Sequence, residues 1–153
     1  MLSTAILKLR QYCAYQERCH QEVKYKCLEV GLRGNEVEEA IAALIADNFL
    51  NEERFAKAFA GGKFRVKQWG RKKIIAELKQ KQVSAYCIKK GMEEIDDDDY
   101  EAALIKVAGK KYQSLKGETP MKRRYKTVQY LLQRGFETEL INGVLEQIVH
   151  NEA

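Results

Sequence analysis

Eight cations, Lys63, Arg65, Lys67, Arg71, Lys72, Lys73, Lys79 and Lys81, stand against a single acid, Glu77, between positions 63 and 81. Ammonium and guanidinium groups at this density set up a field that draws in phosphates or carboxylates, so the chemistry they offer is recognition of a polyanion or an acidic protein surface. A second cluster, Lys122, Arg123, Arg124 and Lys126, repeats the theme. Trp69 sits inside the first cluster. There its indole can stack on a base, anchor a protein contact or cap the core of a small bundle.

The charge is local. Basic against acidic residues number 6 to 7 over positions 1–50, 12 to 5 over 51–95 and 9 to 10 over 96–153, so the middle carries +7 and each flank −1. Catalysis has little to work with: there are two histidines, His20 and His150, and no glycine-rich phosphate loop, nucleophile elbow or metal-ligand spacing. The expectation is a binding protein with no enzyme activity and no cofactor. Cys13, Cys19, Cys27 and Cys87 form no CxxC pair and read as small buried thiols, so no metal is assigned. The run Asp96 to Asp99 lacks the spaced ligands of a calcium loop and reads as a solvated, acid-rich helix start. No stretch approaches the roughly 20 apolar residues of a membrane span, and Leu2, Ala5, Ile6, Leu9 and Cys13 share one helical stripe rather than a signal-peptide core. A cytoplasmic monomer is the default expectation.

The elements that position these cations are helices. One proline and apolar spacings of three and four residues, with little strand-like alternation, predict an all-α chain. Placing Gly31, Gln82 and Gly135 in register aligns three segments: Cys27, Leu78 and Leu131 lie four before the anchor, and Leu32, Val83 and Phe136 one after it. Val37, Ile88 and Ile141 follow at six, then Ile41, Met92 and Leu145 at ten, and Leu44, Ile95 and Ile148 at thirteen. This predicts tandem three-helix repeats over 1–50, 51–95 and 96–153, in an elongated, curved array. The leading helix of the middle repeat is expected to start at Asn51 and to bury Phe55, Phe59 and Val66; that of the last starts after Asp96 to Asp99 and buries Tyr100, Ala103, Leu104, Val107 and Ala108. Caps are expected at Asn35 with Glu38, at Ser84 and at Thr119-Pro120. With Ile74, Ile75 and Leu78 inward, Lys72 and Lys79 fall two turns apart on the outer face of one helix, flanked by Lys73 and Lys81.

The segments FLNEERFAKAF at Phe49 to Phe59, GRKKIIAELKQKQVS at Gly70 to Ser84 and LLQRGFETELINGVL at Leu131 to Leu145, in this order, resemble the RecX family of bacterial regulators of the RecA recombinase. HQEVKYKCLEVGL at His20 to Leu32 resembles the family's first repeat more weakly. The resemblance covers most of the chain. It implies tandem three-helix repeats and a protein that binds the RecA filament on single-stranded DNA and inhibits its ATPase, strand exchange and growth. The cations named above, with Trp69, would then face RecA or DNA. Two other readings stand beside it: a single-stranded-DNA-binding module that competes with RecA, and a helical adaptor for another acidic protein. The chain departs from the family pattern at Ala60-Gly61-Gly62, at Trp69 before Gly70, and at Gln82 in place of a turn glycine. A glycine pair costs about 1 kcal/mol per residue inside a helix, so the helix is expected to end or bend at Gly61-Gly62.

Overall fold

The computed structural model describes residues 2–152, and among them nine α-helices and no strand. They are α1 (Leu2–Tyr15), α2 (His20–Glu29), α3 (Asn35–Ala46), α4 (Glu52–Arg65), α5 (Arg71–Gln80), α6 (Ala85–Met92), α7 (Asp97–Ser114), α8 (Pro120–Gln133) and α9 (Thr138–Glu152). The order is three helix triplets in tandem.

The aligned positions share one turn geometry. Gly31, Gln82 and Gly135 all adopt a left-handed backbone, with φ of 97°, 61° and 96°. In each turn the next residue's N–H reaches back five positions: Leu32 donates to the Cys27 carbonyl, Val83 to that of Leu78 and Phe136 to that of Leu131. This is the Schellman arrangement, which satisfies carbonyls left over at a helix end and brings an apolar pair together across it. All six residues of those pairs are buried. Gln82 therefore takes the same shape as its glycine counterparts, at the cost a side chain carries in left-handed backbone.

Packing divides the chain into two compact units, Met1–Phe59 with Glu77–Glu93, and Ala60–Ala76 with Glu94–Ala153; α4 and α5 each contribute to both. In the first unit Ala5, Leu9, Cys13, Val23, Cys27, Leu32, Val37 and Leu44 form one core with Leu50, and Leu2 and Ile6 pack at its edge. The α1 stripe read from the sequence is thus the face that α1 buries. Burial pushes the Cys19 thiol up to about 11, so it stays a neutral, apolar group near pH 7. Gly91 lets α6 approach α4, since a methyl there would meet the Ala56 carbonyl oxygen at 2.7 Å.

The second unit is built around Tyr100. Its ring lies 5.8 Å from Phe64 and 5.4 Å from Phe136, centroid to centroid, within the range where tilted aromatic pairs attract. Ile74, Leu104, Leu131, Ile141 and Leu145 are fully buried with it.

Local caps follow the residue chemistry with one exception. Asn51 accepts the Arg54 N–H at 2.9 Å, Ser84 that of Cys87 and Thr119 that of Lys122, while Pro120 opens α8. At α3, however, Gly34 occupies the cap position with no side-chain bond, and Asn35 is already helical. Three further expectations are corrected. The α4 helix runs through Gly61-Gly62 to Arg65; Gly61 is buried, and a methyl there would overlap the Arg65 guanidinium, whose packing uses that space. Val66 is 78% exposed, and Phe64 takes the core position instead. The α7 helix begins at Asp97, inside the acidic run, with Asp96 accepting the Asp99 N–H.

Candidate polyanion-recognition surface

In the second unit the start of α5 is docked against the turn between α8 and α9. The Gly70 N–H donates to the Arg134 carbonyl at 2.6 Å and the Lys72 N–H to the Gly135 carbonyl at 3.0 Å. The Arg71 N–H donates to the Tyr100 hydroxyl oxygen at 2.9 Å, and that hydroxyl in turn donates to the Glu137 carboxylate. Donors that a free helix end leaves unsatisfied are thus met by tertiary partners. The approach is so close that a methyl on Gly70 would overlap the Gly135 backbone, and one on Gly135 would overlap Lys73.

This docking sorts the cations. Arg71 turns inward: its guanidinium lies 4.0 Å from the Tyr100 ring centre, pairs with Asp97 at 2.6 Å and stands 3.9 Å from Glu137. Lys72 projects into solvent. Lys73 is half-buried, its ammonium 4.4 Å from the Trp69 ring, which Lys63 approaches at 4.9 Å. Trp69 is therefore a half-buried ring flanked by two ammonium groups, within cation–π range. Arg65 and Lys67 are exposed. In the first unit, Lys79 is exposed and Lys81 is half-buried, 3.9 Å from Glu22 and 5.8 Å from the Phe59 ring.

The α8 cluster divides in the same way. Arg123 is only 9% exposed. Its Nε donates to the Tyr112 carbonyl at 2.8 Å, its Nη1 bonds Glu152 at 3.0 Å, and its plane stacks 3.7 Å from the Tyr112 ring. Lys122 is exposed, Arg124 half-buried, and Lys126 pairs with Glu118 at 2.7 Å, which holds the Glu118 carboxyl below its usual range through the hydrogen bond and charge of Lys126. Between Lys122 and Lys126 lie Met121 and Tyr125, 83% and 64% exposed, which line a shallow depression together with the two lysines.

The placement of these cations runs against helix electrostatics. A helix N-terminus carries partial positive charge, and a cation in its first turn costs about 0.3–1 kcal/mol. The α4 and α7 helices begin with acids, as stability requires, whereas α5 and α8 have none in the first turn and carry Arg71 to Lys73 and Lys122-Arg123 there instead. Arg71 is offset by Asp97 and Glu137, and Arg123 by Glu152. No such carboxylate is paired with the exposed Lys72 or Lys122 among the described residues. Together, the positive helix end and an exposed ammonium make a strong anchor for an incoming anion.

Cations on α7 and at the end of α8, namely Lys106, Lys110, Lys111 and Arg134, were not among those singled out from the sequence. They face one cavity in the second unit. The signal that could have found the three lysines is the acid-free stretch between Glu101 and Glu118.

Tandem helix triplets, with outward lysines at two equivalent helix starts, define an all-α repeat protein. Family models described as the second and third three-helix domains of RecX match residues 51–92 and 97–145. The chain is 32% identical over 112 residues to the regulatory protein RecX of Chlorobium phaeobacteroides, covering 73% of this chain and 72% of that one. It is 29% identical over 137 residues to RecX of Clostridium perfringens, covering 88% of this chain and 64% of that relative's length. The crystal structure of RecX from Lactobacillus salivarius shares the fold with a TM-score of 0.85 at 20% identity, over 96% of both chains. The chain belongs to the RecX family.

Proposed function

We propose that this chain regulates the RecA recombinase by binding its filament, with the exposed lysines at the starts of α5 and α8 as principal contacts. The observation that carries the reading is the unpaired cation at two helix N-termini, which folding alone disfavours. Lys72 and Lys122 lead, with Lys79, Lys67, Arg65 and Arg124 as further positive surface. Met121 and Tyr125 add apolar area of the kind protein contacts use. Arg71 and Arg123 hold the helices that present these groups. Family membership supports RecA as the partner, and inhibition of its ATPase and of filament growth is the expected outcome. Tandem repeats suit a polymeric target, because each repeat that engages raises the effective concentration of the next.

A second reading, competition for single-stranded DNA, is favoured by Trp69 between Lys63 and Lys73, since an aromatic flanked by cations is how such strands are stacked and neutralised. The single-stranded-DNA-dependent ATPase of RecA, titrated with this chain, separates the two. Inhibition at a small fraction of the RecA concentration supports filament binding. Inhibition that sets in only as the DNA saturates supports competition, and no inhibition at any ratio overturns both.

A further inference from the structure

We infer that the second unit carries a separate binding pocket for a compact phosphate ester, formed by α7 and α8. The cavity is about 370 Å³, within the range of small-ligand sites. Four cations line it, Lys106, Lys110, Lys111 and Arg134, with Ser114 and Gln68 as neutral hydrogen-bonding groups, and no acidic side chain contributes to its lining. Lys106 and Lys110 lie one turn apart on the same face of α7, where like charges destabilise a helix unless something neutralises them.

The pocket is also organised. Gln68 holds a left-handed backbone at φ 58°, which only special turns require of a residue with a side chain. Beside it, the Lys67 carbonyl accepts a hydrogen bond from Arg134 Nη1 at 2.8 Å and fixes that guanidinium. Arg134 and the Lys111 ammonium each lie 4.7 Å from the centre of the Tyr130 ring. A half-buried ring with two cations within cation–π range of it, next to two more along the pocket, groups four positive charges where phosphate oxygens can pair. The shared chemistry is the phosphate ester. Its source is a free nucleotide or the backbone of a single strand, and none of the four cations that line the pocket is among those assigned to RecA.

The test is an NMR titration of the full chain with inorganic phosphate, ATP and an oligothymidylate of about 15 nucleotides. It is run on the native sequence, on K106E/K110E, and on K24E/K89E, which changes net charge equally at exposed positions outside the pocket. Amide shifts are expected in Lys106 to Ser114, Tyr130 and Arg134, with affinity reduced about tenfold or more in K106E/K110E relative to K24E/K89E. If only ATP weakens, the ligand is a free nucleotide. If only the oligonucleotide weakens, the ligand is the strand backbone, and its log–log salt dependence should flatten by about 0.7 for each phosphate no longer neutralised. If both weaken, the pocket reads the phosphate itself. Equal affinities in the two variants, or no binding of any probe by the native chain, overturns the pocket. Because all three forms are also assayed for RecA ATPase inhibition, loss of phosphate binding with inhibition retained separates this site from the filament reading.

Discussion

The starts of α5 and α8 hold equivalent places in their triplets and both carry clustered cations, yet they are secured differently. The α8 start is written locally: Thr119 caps it and Pro120 opens it. The α5 start has no local cap among its bonds; its N–H groups go to Arg134, Gly135 and Tyr100, far along the chain. Both nonetheless make the same division of labour. One arginine turns inward onto a tyrosine of α7, and a lysine stays in water. The physical reason is that guanidinium is planar, weakly hydrated and rich in directed donors, so it stacks and bridges where an ammonium would lose its hydration. A charge count treats the two residues as equal; packing does not.

The largest expected effect falls where the two starts differ most. Gly135→Ala forces a side chain into left-handed backbone and into Lys73, which should cost about 3 kcal/mol and lower the melting temperature by roughly 10 °C. Gly31→Ala has the same φ class and open space, so it should lose only about 1 kcal/mol. Equal losses in the two would break the claim that α5 docks on the α8–α9 turn.

Next come the inward arginines. Arg123→Ala removes a stacked guanidinium with two bonded partners and should cost about 2 kcal/mol, against under about 0.5 kcal/mol for Lys122→Ala. Urea denaturation of both variants checks the ordering, and similar midpoints would erase the division of labour.

Tyr100→Phe strips the acceptor from the Arg71 N–H and should cost about 1–2 kcal/mol. Burial, with the hydrogen bond to Glu137, pushes the Tyr100 phenol above its usual value. A group raised in the folded state stabilises fully below its unfolded pKa and ceases to as pH climbs through the folded one. Native stability should therefore fall as pH rises beyond about 10. Tyr100→Phe should flatten that alkaline decline, and an unchanged slope would place the titration elsewhere.

The smallest effect is a gain. Gln82→Gly should stabilise by about 0.5–1 kcal/mol, because glycine tolerates the observed φ of 61°. A loss would show that the Gln82 side chain contributes more than its backbone strain takes away.

Much of the fold was legible because helical periodicity reports burial directly. Leu32, Val83, Phe136, Val37, Ile88 and Ile141 all fall in the interior at their aligned positions, and so do Tyr100, Leu104, Val107 and Ala108 on α7. The family, too, was legible in the ordered segments around Phe49 to Phe59, Gly70 to Ser84 and Leu131 to Leu145. What failed were features decided by neighbours distant in sequence. Gly61-Gly62 stayed helical because that helix has packing partners, and Phe64 rather than Val66 found the core around Tyr100. The inward turn of Arg71 and Arg123 depends on Tyr100, Glu137, Tyr112 and Glu152, which no local pattern links to them. The α7 pocket was missed because its three lysines are spaced along α7 and its arginine lies in the turn after α8, so the four never appear as a run.

The central claim is that exposed lysines at equivalent helix starts bind the partner while the arginines beside them hold the fold. Its most direct test is the affinity of K72E/K122E for RecA filaments assembled on single-stranded DNA, measured beside the native chain at one salt concentration, with melting temperature as the control for folding. The account predicts an unchanged melting temperature and binding weakened at least tenfold. Native affinity in a fully folded K72E/K122E would contradict it.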